Sequence, residues 1–209
     1  MADRVTDSWC TGNFPYRALT VFIPFFIAAV LIAVLAVTLP EADFFIMLGL
    51  IAAYLLPPSG KETVIPIGIA LGIPSWYMAL SIVMIDVITG LFMALNFDLA
   101  YRIPYLGPLL SDLTRKTEQF IQDHRWLAGF WFFAVVLMVM VPVLGSGGIR
   151  GSVAGKLLGL STLLTFLAIL AGALIGCFAI ALGSESLLTY LCSGGMVPAE
   201  ITARVCGGV

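Results

Sequence analysis

FFIMLGLIAAYLLPPSGKETVIPIGIALGI, residues 44–73, decides how this chain is built. The apolar residues 44–56 run into Pro57-Pro58-Ser59-Gly60-Lys61-Glu62, and a second apolar run, Thr63 to Ile73, stops at Pro74. Neither run can cross a hydrocarbon core about 30 Å thick, which takes roughly 20 helical residues. Paired prolines followed by Ser-Gly break a helix. Two short apolar arms around a polar break predict a re-entrant hairpin over 44–73. Such backbone is tolerated at membrane depth only where protein shields it or a wet cavity receives it.

The surroundings fit that setting. Of 209 residues, 61% are hydrophobic and 11% charged, against about 25% charged in soluble domains. Mean hydropathy is +1.09. Ala18–Leu39 carries no charge and reads as a retained transmembrane helix (18–39), longer than a signal-peptide core of about 7–15 residues. A second crossing follows at 75–97, with Asp86 near its centre. Within 98–126, Leu109, Leu110, Leu113, Phe120 and Ile121 recur at helical spacing opposite Asp112, Arg115, Lys116, Glu118 and Asp123. That pattern predicts an amphipathic linker helix at the interface.

The pattern then repeats. Leu127–Leu144 is apolar and ends in Pro142-Val143-Leu144-Gly145-Ser146-Gly147-Gly148-Ile149-Arg150-Gly151-Ser152, followed by the short run Val153–Leu160. Residues 127–160 read as a second re-entrant hairpin; a plain bundle in which Leu127–Leu144 spans is the alternative. A third crossing covers 161–183, and 184–209 forms a tail. The expected fold is an all-α integral membrane protein in one domain, with two interrupted hairpins and about three full crossings as an inverted repeat.

Lys and Arg set the orientation. Arg102, Arg115, Lys116 and Arg125 lie in the linker, while loop 40–43 holds none and the tail only Arg204. The linker and the N-terminus are therefore expected in the cytoplasm and the C-terminus outside the cell membrane. The hairpins then enter from opposite faces, as an inverted repeat requires.

Charges at membrane depth cost at least ~2.5–3.5 kcal/mol each on insertion scales and usually serve a pathway, a pair or a ligand. Lys61 and Glu62 sit at the first break, and Arg150 at the second with Lys156 beyond it. The other reading is that these tips reach water. Asp86 and Glu62 are the candidates for carrying a proton. For Asp86, a hydrogen bond to Ser81, Thr89 or the backbone of a broken helix is the structural alternative. Arg150, Lys61 and the donor-rich Ser146, Gly147 and Gly148 are candidate contacts for an anionic substrate, because free N–H groups at a helix start favour negative charge.

No enzyme is expected, and no cofactor. The chain has no G-x-S-x-G, no H-E-x-x-H and no spacing of metal ligands, and its one histidine, His124, lies on the linker. Nothing in the charge balance points to nucleic acid. Membrane lipids are the expected surroundings, and a homo-oligomer stays open.

Lys61-Glu62-Thr63-Val64-Ile65-Pro66-Ile67-Gly68-Ile69-Ala70-Leu71-Gly72-Ile73-Pro74 resembles the first signature of the small multidrug export family. Val141-Pro142-Val143-Leu144-Gly145-Ser146-Gly147-Gly148-Ile149-Arg150-Gly151-Ser152 resembles the second. The likeness runs over roughly residues 44 to 182. That family is in turn similar to the DedA superfamily. The resemblance implies opposed re-entrant hairpins, ion-coupled transport or translocation of lipid carriers, and functional roles for Glu62 and Arg150. Lys-Glu-Thr-Val stands here where the family often has Glu-Leu-Arg-Gly.

The function expected is a secondary transporter, proton- or ion-coupled, that moves an amphipathic or anionic small molecule or a lipid-linked phosphate by alternating access. An uncoupled lipid scramblase or channel, or a non-transporting structural subunit, is the alternative.

Two measurements test the topology. A single cysteine at Gln119 is expected to be shielded from impermeant thiol reagents outside intact cells; labelling from outside reverses the orientation. Cys192 and Cys206 are expected to pair in the oxidising compartment, closing a loop worth about 3 kcal/mol in the chain-entropy model. Intact mass before and after reduction checks this, and alkylation of both thiols without reductant excludes the bridge.

Overall fold

The computed structural model describes residues 14–56, 59–100, 128–141 and 147–194. These form seven helices and no strand: α1 (Phe14–Thr38), α2 (Glu41–Leu55), α3 (Lys61–Ala70), α4 (Ser75–Ala100), α5 (Ala128–Met140), α6 (Gly147–Leu157) and α7 (Thr162–Ser193). Three contain apolar stretches long enough to cross a membrane: Thr20–Thr38, Ser75–Asn96 and Thr162–Ser193. The four short helices rise only about 15–22 Å at 1.5 Å per residue, less than the hydrocarbon core. Beyond Ala100 the expected linker helix lies outside the described residues, as does the break 142–146.

Three boundaries differ from the sequence reading. Lys61 and Glu62, expected at a tip, are the first two residues of α3. Gly147–Ser152, expected as part of a break, is helical and opens α6. The last crossing, expected to end at 183, continues to Ser193. Its polar residues fold their hydroxyls back onto the preceding turn: Ser184 donates to Ile180 O at 2.7 Å, Ser186 to Leu182 O at 2.8 Å and Thr189 to Glu185 O at 2.9 Å. Polarity that reads as a tail is thereby absorbed within a helix.

α4 and α7 pack along each other at the centre. The short arms cross over: α3, which precedes α4, also packs on α7, and α6, which precedes α7, packs on α4. α3 and α6 end alike. Gly72 and Gly159 take positive φ, 96° and 71°. Ile73 N donates to Gly68 O at 3.1 Å and Leu160 N to Gly155 O at 2.9 Å, the long-range bond of a glycine-terminated helix end. The two ends lie 87 residues apart at every matched position, from 68 and 155 to 73 and 160.

α1 is peripheral. It packs chiefly on α4 and leaves Phe22, Phe25, Phe26 and Val37 exposed. Two polar ties fasten its ends, Thr38 Oγ1 with the Tyr77 hydroxyl at 2.5 Å and Asn96 Nδ2 donating to Thr20 O at 3.2 Å.

Between helices in lipid, association depends on close packing rather than on escape from water. A Cβ on Gly172 would lie 2.6 Å from Val136 O, and one on Gly176 2.7 Å from Met140 O, so α5 and α7 approach at backbone distance. Gly172→Ala is expected to cost roughly 1–3 kcal/mol through overpacking, lowering the Tm in detergent by about 2–10 °C. Gly49→Ala, which adds a Cβ with nothing within 4 Å, is expected to leave Tm unchanged or slightly higher. Equal melting of the two variants would refute the close-approach account.

Candidate functional site

The short helices converge on the middle of α4. Asp86 is fully buried there, at 0% exposure. Its Oδ1 accepts from the Tyr54 hydroxyl at 2.6 Å and from Gly148 N at 3.0 Å. The Tyr54 hydroxyl in turn accepts from Gly147 N at 3.2 Å. One carboxylate therefore joins the last turn of α2, the centre of α4 and the first turn of α6.

The chemistry at the start of α6 follows from helix geometry. The first N–H groups of a helix have no partner within it, and water is scarce at membrane depth. Gly147 and Gly148 present two such groups, and Asp86 and Tyr54 take them. A carboxylate there also complements the positive end of the helix dipole. Only glycine permits the approach: a Cβ on Gly148 would lie 2.0 Å from Asp86 O and 2.7 Å from Thr89 Oγ1. Ser152, one turn on, donates to Gly90 O at 2.7 Å and to Gly148 O at 2.9 Å, fastening α6 to α4.

The other side of the second break carries the opposite charge. Lys61 is 2% exposed and donates its ammonium to Val139 O in the last turn of α5. Its Nζ would lie 3.2 Å from a Cβ on Gly176 of α7. A cation at a helix C-terminus complements the dipole and satisfies a terminal carbonyl. The ends of α5 and α6 are thus bracketed by Lys61 and Asp86, both from the first half of the chain. The buried Cys177 thiol lies within electrostatic reach of both.

The other sequence candidates are placed as follows. Glu62 folds back over the start of its own helix: a Cβ on Gly60 would lie 2.3 Å from each of its carboxylate oxygens. Its Oε2 is buried and without a hydrogen-bond partner among the described residues. Arg150 is half-buried on the first turn of α6. Lys156 donates to Thr162 Oγ1 at 2.5 Å. Ser146, His124 and Cys206 lie outside the described residues. Cys192 stands in a disulfide whose partner also lies outside them. No group of three or more His, Cys, Asp or Glu that could hold a metal occurs among the described residues.

Sequence reasoning brought Asp86, Gly147, Gly148 and Lys61 into view and passed over Tyr54. Tyr54 sits in an apolar run three residues before Pro57. A buried phenol needs a partner for its hydroxyl, and that signal would have singled it out.

No curated protein and no solved structure matches the chain. A family model described as "Putative small multi-drug export protein" matches residues 62–179, more than half of the 209 residues. The matched span holds Glu62, Asp86, Gly147, Gly148 and Arg150; Tyr54 and Lys61 precede it. Its three long apolar helices and this match identify the chain as a membrane protein that belongs to the small multi-drug export protein family.

Proposed function

We propose that the chain is a secondary transporter in the cell membrane that works by alternating access and couples transport to protons at Asp86. The observation that carries this reading is a fully buried carboxylate at the middle of a crossing helix, held by a backbone amide at the start of an interrupted helix. Intramembrane carboxylates are costly, and proton relays are a common reason to keep one. Broken helices meeting at depth are where transporters hold substrates and coupling ions.

In this reading α2–α3 and α5–α6 are re-entrant hairpins that enter from opposite faces, with the N-terminus cytoplasmic and the C-terminus outside. The matching glycine ends of α3 and α6 and the exchange of partners between α4 and α7 favour an inverted repeat. The opposed hairpins implied by the likeness to the DedA superfamily point the same way. The Cys192 partner is then Cys206, in the outer tail.

Protonation of Asp86 weakens the acceptor that occupies the first amides of α6. Those donors become available to an anionic group, so proton and anion bind together. Arg150 and Lys61 supply positive charge nearby, and Ser146, Gly147 and Gly148 supply hydrogen-bond donors. Glu62 is a second carboxylate for the same traffic. The substrate class is an amphipathic anion, such as a lipid-linked phosphate.

Purified protein in liposomes tests this with a short polyprenyl phosphate and with ethidium, each with and without a pH gradient. Gradient-stimulated uptake of the phosphate is expected. Asp86→Asn keeps the shape but cannot cycle a proton; it should abolish the stimulation and retain exchange within a few-fold. Glu62→Gln is expected to impair coupling as well, and Arg150→Lys to weaken the phosphate, since a point charge does not replace a planar fork. Flux indifferent to the gradient would make the protein a scramblase or channel. No flux of either probe would make it a structural subunit.

A further inference from the structure

The proton-carrier reading uses Asp86 and the α6 amides, and leaves unexplained why the residue between them is a tyrosine. Tyr54 is fully buried, at 0% exposure. A phenylalanine would fill the same space without a polar atom to satisfy. The phenol places one oxygen between two groups, donating to Asp86 Oδ1 at 2.6 Å and accepting from Gly147 N at 3.2 Å. It reaches them from α2, across 32 residues of sequence to Asp86 and 93 to Gly147.

We propose that Tyr54 is a positioning residue that transmits the charge state of Asp86 to the N-terminus of α6. The proposal rests on Asp86 being the proton carrier. With Asp86 ionised, Oδ1 takes a charge-assisted bond from the Tyr54 hydroxyl and another from Gly148 N. The hydroxyl, polarised by the carboxylate, is the better acceptor for Gly147 N. When a proton binds to the Asp86 carboxylate, both bonds to it lose their charge assistance. Gly148 feels the change directly, and Gly147 feels it through Tyr54. One proton therefore loosens two successive amides of α6 together, and Tyr54 supplies the second of those connections.

Among the described residues, several elements bring polar or titratable groups near Asp86. α2 presents Tyr54, α3 brings the buried Lys61 and α7 the buried Cys177. α6 presents amide donors and carries Arg150 on its first turn, and α5 presents the apolar Val139 beside Gly147. The described side chains of α1, residues 20–38, include none that titrates.

The test needs no substrate. Full-length protein in lipid nanodiscs is titrated by infrared difference spectroscopy, and the carbonyl band of protonated Asp86 is identified by its loss in Asp86→Asn. Hydrogen bonds to the ionised form favour it. Tyr54→Phe, which removes one, is expected to raise the midpoint by about one pH unit, a tenfold gain in proton affinity. A 3-fluorotyrosine in place of Tyr54, nearly the same size but a stronger donor, is expected to lower it. The opposed signs separate this role from a packing defect, and the fluorinated protein decides the matter if Tyr54→Phe does not elute as a single species. Midpoints that stay put in the variants that fold overturn the proposal while leaving the carrier role of Asp86 standing. A titrating band that Asp86→Asn does not remove defeats both. Midpoint shifts of the expected signs in a protein that moves neither probe would keep the Tyr54 connection and overturn transport.

Discussion

Everything in this structure depends on how the ends of broken helices are satisfied where water is scarce. Each helix interrupted inside a bilayer exposes N–H groups at one end and carbonyls at the other, and each such group left alone costs several kcal/mol. At the second break the chain meets both demands with side chains of matching charge, Asp86 at the start of α6 and Lys61 at the end of α5. A hydrogen bond to a charged group contributes about 1.5–3 kcal/mol, which offsets much of the cost of burying the charge itself. Together with the Tyr54 hydroxyl, which takes Gly147 N, these two residues tie the interruption to the first half of the chain.

That electrostatic arrangement sets the packing. Asp86 reaches the Gly148 amide only because α6 comes against α4 at glycine distance, and Lys61 reaches Val139 O beside the glycine-lined contact of α5 with α7. Small residues let the backbones approach, and close approach brings dipoles and charges into hydrogen-bond range. The same glycines thus serve packing and polarity, and a methyl group at Gly148 would disturb both.

The helix interruptions were legible from the chain because prolines, glycines and short apolar runs act locally. So were the three long apolar helices, from length alone, and Asp86, as a lone charge in an apolar span. The beginnings of α3 and α6 were not. Gly147–Ser152 is rich in glycine and poor helix material in isolation, and Lys61 follows directly on Pro57-Pro58-Ser59-Gly60, so both read as loop; the partners that hold them lie 62 to 93 residues away in sequence. Tyr54 was hidden for a related reason: a hydropathy pattern registers its ring and misses its hydroxyl. The end of α7 was misplaced because Ser184, Ser186 and Thr189 look like a polar tail until their hydroxyls are seen bonded to the turn behind them.

The exchange of partners between the halves also imposes a schedule on biosynthesis. Lys61 is bonded to a carbonyl 78 residues further along, and Asp86 to an amide 62 residues further. At about 5–20 residues per second, a ribosome needs on the order of 3–15 s to supply those groups after the charges themselves have emerged. During that interval Lys61 lacks its carbonyl acceptor, and Asp86 has the Tyr54 hydroxyl without the Gly148 amide. A nascent chain stalled or truncated before α5 would remain in that condition, with both partners from the second half missing. Completion of the second half supplies the Val139 carbonyl and the Gly148 amide together, because both flank the same break.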